Sequence, residues 1–365
     1  MPTSNRPSLT FSTELEHKIQ ALKSRTPSVK MGQVSFDSPL LLAPMSAICN
    51  APFRLLMEAL GAGGTVSELI SCHGINHGNA RTLKMLELDP RERNIGLQLF
   101  GEDEKAMATA AERAEDFGPK FIDINMGCPV RKVVTKGGGS ALLRDTQKLG
   151  RFFGTIKRSI DIPLTIKIRT GWDEESLNAD EVIRIAHEEG VEFVAIHGRT
   201  RTQQYKGLAR WDYLELLAET SELPIIGNGD LHTPELTKKR LKQTRCQGLM
   251  LGRGPLRNPF IFLDSFLKEG EPSPFTSIDY WEITQKLFEL TEYYAFNEKA
   301  LVIQMRKHIM WFAAGLPGAA QFRGVLFQHP TLKDTLKATE DFFTERAQEK
   351  KQLDVNEPFM TSGHG

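Results

Sequence analysis

Polar side chains stand at interior positions of several apolar runs in this 365-residue chain. In "LTIKIRTGW" (164–172), Lys167 and Arg169 alternate with Leu164, Ile166 and Ile168. Gln98 lies between Leu97 and Leu99, Asn125 lies between Ile124 and Met126, His197 follows Ile196, and Asn228 closes "PIIGN". Successive side chains of a strand point to opposite faces, so each of these groups faces away from its aliphatic neighbours. A cation on a covered face is costly unless an anion or a strong acceptor meets it. Lys167 therefore implies an electron-rich ligand, with a structural ion pair to Asp123 as the alternative. A single inward Asn, Gln or His has an ordinary explanation as a hydrogen-bonded core group. Several such groups, each late in its own strand, point to one shared site.

Two further groups of residues could act there. Cys128 closes "INMGCPVRK", with glycine before it, proline after it and the glycine-rich "KGGGSALL" (136–143) downstream. That composition puts the thiol on an open loop, where it could serve as an acid; a nucleophile would need an adjacent base and a lowered thiol pKa. Asn228, Gly229 and Asp230, and then Gly252, Arg253 and Gly254, form turns whose backbone N–H groups could cradle a phosphate. A phosphate at these turns and a lysine facing the same site suggest a phosphorylated, electron-accepting cofactor, and flavin mononucleotide (FMN) fits both.

The elements that position these residues follow from eight apolar runs, at 40–45, 65–70, 94–101, 121–129, 164–172, 193–200, 224–230 and 248–254. Most begin about 25–30 residues apart, with helical periodicity between them, which is the rhythm of a (β/α)8 TIM barrel. A doubly wound open sheet is the competing α/β arrangement. In a barrel, the late residues of each strand meet at one rim, and Lys167 and Arg169 point into that mouth. After "EGEPSPFTS" the chain reads as helix after helix without strand signals. The expected organisation is a polar N-terminal extension (1–37), a barrel (38–262), an all-helical C-terminal domain (275–350) and a flexible tail (351–365). Forty-six basic residues balance 46 acidic ones, so a nucleic-acid partner would have to be held by a local patch. Cys49, Cys72, Cys128 and Cys246 show no CxxC pair and no zinc spacing, so neither a disulfide framework nor a metal is expected. The scattered cysteines suit a reducing cytoplasm, and no signal peptide or membrane span is read, so a cytoplasmic protein without membrane contact is expected, as is a monomer.

The blocks "LLAPM", "PFR" (52–54), "GLQLFG", "FIDINMGCPVRKVVTKGGGSALLRD", "TIKIRTGW", "AIHGRTRTQQYKG", "PIIGNGD" and "MLGRG", in this order, resemble the tRNA-dihydrouridine synthases, closest to the bacterial B-type branch. The resemblance implies an FMN enzyme, reduced by NADPH, that saturates the C5–C6 bond of uracil in tRNA. Hydride would pass from flavin N5 to C6 and a proton from Cys128 to C5. Pro44, Met45, Ser46, Gln98, Lys167 and His197 would contact the flavin, and Asn228, Gly229, Asp230, Gly252 and Arg253 would hold its phosphate end. Asn125 and Arg169 would line the substrate side. "MRKHIMWFAAGLPGAAQFR" (305–323) resembles the family's RNA-binding helices, which makes Arg306, Lys307, His308 and Arg323 tRNA contacts. After "APM" the family pattern runs on as something like AGVTD, whereas this chain has "SAICN" (46–50), and "SELISCHGI" (67–75) also departs from it. A free-pyrimidine oxidoreductase resembling dihydroorotate dehydrogenase, a Schiff-base aldolase using Lys167, and a tRNA-binding chaperone without chemistry are the competing functions.

Overall fold

A computed structural model describes residues 6–295, 297–329 and 331–353. Two short strands, β1 (Val29–Met31) and β2 (Val34–Phe36), form an antiparallel hairpin. Nine more follow: β3 (Leu40–Leu42), β4 (Thr65–Val66), β5 (Ile70–Ser71), β6 (Ile95–Phe100), β7 (Phe121–Met126), β8 (Leu164–Arg169), β9 (Val194–His197), β10 (Ile225–Asn228) and β11 (Gly248–Leu251). All their pairings are parallel, and β4 joins β3 on one side and β6 on the other, so the sheet closes on itself. All eight expected runs contribute a stave. The second is broken into β4 and β5 at residues 67–69, because β5 pairs with β6 alone. Apart from the second, the strands end earlier than the apolar runs do, since the last residues of those runs turn into the rim.

The aliphatic faces of the staves pack on the surrounding helices, as in Glu104–Glu115, whose first turn is capped by Asp103 through the amide of Ala106. The opposite end of the barrel from the rim is closed by the β1–β2 hairpin. Met31, Val34 and Phe36 are buried with Leu41, Phe121, Phe193, Ile226 and Met250. Three phenyl rings meet edge to face there: Phe36–Phe121 at 6.1 Å, Phe36–Phe193 at 5.9 Å and Phe121–Phe193 at 5.5 Å. Gly96 makes room for them, because a Cβ at that position would lie 2.1 Å from the Phe121 ring.

Residues of the expected polar extension are thus built into the fold. The helix Thr13–Lys23 buries Leu15, Ile19 and Leu22 at helical spacing. Ser12 Oγ donates to Glu282 at 2.8 Å, and Lys18 reaches both carboxylate oxygens of Asp279 at 3.0 Å. Those partners lie on Ser277–Tyr294, the first of four C-terminal helices, which continue as Glu298–Ala313, Ala319–Leu326 and Leu332–Thr344. Leu287, Met305, Ile309 and Phe312 of these helices share one continuous core with Phe53, Leu56 and Leu60 beside the barrel. Part of the expected tail is docked as well. Lys351 sits 4.3 Å above the Tyr280 ring, and its ammonium donates to the Arg257 carbonyl. The remainder of that tail, 354–365, lies outside the described residues. Among the described residues no helix is long and apolar enough to cross a membrane.

The hairpin plug yields a stability test. Phe36→Ala removes one ring from a three-ring contact in a closed space and is expected to cost about 3–5 kcal/mol in denaturant unfolding. A loss below about 1 kcal/mol would show that the hairpin does not seal the barrel.

Candidate active site

The rim holds one deep cleft of about 1200 Å³, its open mouth included. The parallel register explains why the polar residues converge there. Asn125 of β7 is level with Lys167 of β8, and one row further on Arg169 of β8, His197 of β9 and Asn228 of β10 stand side by side. The segment after β3 brings Pro44, Met45 and Ser46 to the wall, the turn after β10 brings Gly229 and Asp230, and the turn after β11 brings Gly252 and Arg253. Cys128 reaches the same cleft from the loop after β7.

Lys167 is 9% exposed, and among the described residues it makes no ion pair. Its partner is the neutral Asn228 Oδ1 at 3.3 Å. The alternative pair with Asp123 does not form, because the Asp123 carboxylate accepts from Gln98 Nε2 at 2.7 Å and from Thr165 Oγ1 at 2.7 Å. Burial, reinforced by the charge of Arg169, lowers the Lys167 ammonium to about 8. A desolvated cation therefore faces the cleft with its charge uncompensated at contact distance.

Gln98 is on the expected face but at a different depth. It does not line the cleft; its amide nitrogen is held by Asp123 and its oxygen accepts from Asn125 Nδ2 at 2.9 Å. Asn125 uses its own oxygen to accept the Cys128 N–H at 2.9 Å. A hydrogen-bonded series thus runs from Asp123, which burial pushes up to about 6, to the backbone of the cysteine loop. The Cys128 carbonyl accepts from the amide and hydroxyl of Ser140 at 3.1 and 2.9 Å, which fixes the loop from its other side. Burial raises the Cys128 thiol above its ordinary value, so the sulfur carries its proton at neutral pH. That protonation state suits an acid and not a thiolate nucleophile.

Arg169 spends its donors on backbone carbonyls: Gly127 at 2.8 Å, Thr200 at 2.9 Å and Gln204 at 2.8 Å. It lines the cleft while clamping the cysteine loop to the loop after β9. Two residues absent from the sequence reading matter here: Tyr205 lines the cleft, and Arg199 braces the residues that do. Tyr205 presents its ring to Arg169 at 5.7 Å and to Arg253 at 5.4 Å. Arg199, 3% exposed, bonds Asp230 Oδ1 at 2.6 Å, the Gly207 carbonyl at 2.7 Å and His197 Nε2 at 3.3 Å. An arginine can only donate, so His197 Nε2 is the acceptor and the ring proton sits on Nδ1. Burial, with Arg169 and Lys167 nearby, holds His197 well below its ordinary value, and the imidazole stays neutral. The second Asp230 oxygen accepts from the Ala209 amide at 2.7 Å, so this carboxylate braces the rim.

The four residues expected to touch RNA do not form one surface. His308 is 2% exposed, stacked on Phe53 at 5.3 Å and edge-on to Trp311 at 5.3 Å. Burial lowers it to about 3, so it is a neutral packing residue between barrel and helices, and the expectation of an RNA contact is corrected. Arg306 is half-buried and donates to the His329 carbonyl and to Thr335 Oγ1, tying two helices together. Lys307 and Arg323 are exposed. Among the described residues no cluster of His, Cys, Asp and Glu could hold a metal ion.

A family model described as dihydrouridine synthase matches residues 41–348. Similar proteins include the tRNA-dihydrouridine synthase B of Pseudomonas aeruginosa, 36% identical over 326 residues and covering 87% of this chain and 96% of the relative. A probable tRNA-dihydrouridine synthase of Rickettsia bellii is 36% identical over 303 residues, covering 82% of this chain and 92% of the relative. Among solved structures, a 2-naphthoyl-CoA reductase complex aligns with TM-score 0.54 at 14% identity over 90% of this chain and 70% of its own. Histamine dehydrogenase from Rhizobium sp. 4-9 aligns with TM-score 0.53 at 14% identity over 74% of this chain and 51% of its own. These two likenesses concern the fold.

The Lys167 geometry gives a pH-dependent prediction. A lysine whose pKa falls on folding costs stability in full below its folded value. The cost fades as pH rises from about 8 to about 10.4, above which both states are neutral. Lys167→Met is therefore expected to raise the unfolding free energy of the ligand-free protein at pH 7 by about 1–3 kcal/mol, a gain that vanishes near pH 10.5. Denaturant curves across that pH range check it, and a variant weaker than the parent at pH 7 refutes it.

Proposed function

Because the chain belongs to the dihydrouridine synthase family, we propose that it is a tRNA-dihydrouridine synthase that reduces the C5–C6 double bond of uridine in tRNA with FMN as bound cofactor. The observation that carries this reading is that Cys128 and the uncompensated Lys167 line one cleft at the rim, where burial favours the protonated form of the thiol.

The residues present fit the cofactor. Lys167 supplies a buried cation without a carboxylate partner, suited to an electron-rich ring edge. At Gly252 a Cβ would meet only Ala43 at 3.9 Å and Met45 at 4.0 Å, so packing within the protein does not require glycine there. A backbone bared in this way suits close approach of a phosphate, with Arg253 and the Gly229 turn beside it. Pro44, Met45 and Ser46 would hold the flavin from the β3 side, and Asn228 and His197 from the opposite wall. When bound, FMN supplies hydride to uracil C6 and draws its electrons from NADPH.

The chain's own residues do the rest. Cys128 Sγ donates its proton to C5, and Asn125, Ser140 and Arg169 hold the loop that aims the sulfur. Neutral His197 keeps its Nδ1 proton and offers no competing acid. Drawing a uracil out of folded tRNA costs a few kcal/mol and needs compensating phosphate contacts. Exposed Arg131, Lys132 and Lys136, which follow the cysteine loop, and Lys307 and Arg323 on the C-terminal helices are suited to supply them. The reading keeps a monomer in the cytoplasm, with one chain furnishing the whole cleft. A lowered lysine pKa alone would also suit Schiff-base chemistry, but that reading leaves the cysteine loop without a role.

Cys128→Ala is expected to retain bound flavin, seen in its absorption bands, while dihydrouridine formation in tRNA falls by about 10²- to 10⁴-fold. NADPH oxidation and mass-spectrometric mapping of the product tRNA check this. A protein that cannot be reconstituted with FMN, or an unchanged dihydrouridine content in tRNA from a deletion strain, overturns the proposal.

A further inference from the structure

Ala47 has φ of +60°, in the left-handed region that residues with a Cβ rarely occupy. Its side chain is exposed, so no packing of the methyl group enforces that conformation. Its N–H donates to Glu68 Oε1 at 2.6 Å. Immediately before Ala47, Pro44, Met45 and Ser46 line the cleft, and Ile48 lines it immediately after. The Met45 carbonyl accepts from Ile48 and Cys49 at 3.2 and 2.9 Å, so the segment is a single tight turn whose direction is set at Ala47.

Glu68 reaches Ala47 because the second stave is broken. It lies between β4 and β5, flanked by Ser67, whose hydroxyl accepts the Gln98 amide at 2.9 Å, and by Leu69, which lines the cleft. Among the described residues Glu68 makes no ion pair, and Arg54 and Arg81 are the cations whose fields reach it. A carboxylate accepting one short bond from a backbone amide in an otherwise unfavourable conformation is a fixing contact.

We propose that Glu68 is a positioning residue that holds the cleft-facing turn 44–48 in place through the Ala47 amide and so preorganises the wall against which the cofactor lies. This rests on the FMN reading above. The role needs the acceptor oxygen and the strained residue together, which makes it separable from ordinary packing. Glycine adopts φ near +60° at no steric cost, so Ala47→Gly relieves the need for the Glu68 contact.

The experiment titrates FMN into the full-length apoprotein, following flavin fluorescence, and measures amide hydrogen exchange of residues 44–49 without FMN. Glu68→Ala is expected to weaken FMN binding about tenfold and to speed exchange at Ala47. Glu68→Gln keeps an acceptor and stays within about threefold of the parent. Adding Ala47→Gly to Glu68→Ala recovers most of the lost affinity. Glu68→Asp, the milder change should the alanine variant not fold, keeps the charge but shortens the reach and gives an intermediate loss. Affinity within about twofold for both Glu68→Ala and Glu68→Asp, or a loss that Ala47→Gly does not repair, overturns the proposal. Should the parent itself fail to bind FMN, the cofactor reading falls, while exchange at Ala47 still decides the positioning claim.

Discussion

A lysine ammonium deprived of water and given only an amide oxygen is the constraint around which the rim is organised. Lys167 cannot escape, because β8 is held on both sides by parallel partners, and its carboxylate neighbour is occupied by Gln98 and Thr165. The stability lost there is offset elsewhere, in the phenylalanine plug at the opposite end and in the aliphatic layer between staves and helices. The division is typical of a parallel barrel, with packing concentrated at one end and uncompensated polarity at the other.

The same division governs the loops. Arg169 and Arg199 are both nearly fully buried; Arg169 gives its donors to three carbonyls of the rim segments, and Arg199 divides its donors between two rim carbonyls and the side chains of Asp230 and His197. They act as rivets between neighbouring loops, and Arg169 ties the Cys128 loop, through the Gly127 carbonyl, to the loop after β9. The C-terminal helices are joined just as firmly. His308 on Phe53, Tyr294 on Asp89 at 2.7 Å and Lys18 on Asp279 at 3.0 Å connect them to the barrel and to the N-terminal helix. A macromolecule that touches both the rim and these helices meets surfaces of set relative orientation.

How much of this was legible in the sequence varied with the range of the interaction concerned. Strand alternation is local, so the inward faces of Lys167, Arg169, Asn125 and His197 could be read directly, and with them the closed barrel. Alternation gives the face and not the height along the barrel, which is why Gln98 was expected at the cleft and lies beneath it. Arg199 escaped notice because its partner Asp230 comes from the next stave. The mixture of cations and aromatics around His308 is the same for an RNA surface and for a buried interface, and only the distant Phe53 ring distinguishes them. Strands of three residues, such as Val29–Met31 and Val34–Phe36, carry too little pattern to stand out from a polar leader.

The N-terminal helix also bears on how the chain is made. Leu15, Ile19 and Leu22 are made well before the C-terminal helices, and the carboxylate that Lys18 binds lies 261 residues later. At roughly 5–20 residues per second, their docking partner follows on the order of 10 to 50 seconds afterwards. Leu40–Leu42 waits almost as long for Gly248–Leu251. Throughout that interval the nascent chain displays an apolar helical stripe and a strand, Leu40–Leu42, that has its Thr65–Val66 neighbour on one edge and an open edge where Gly248–Leu251 will pair.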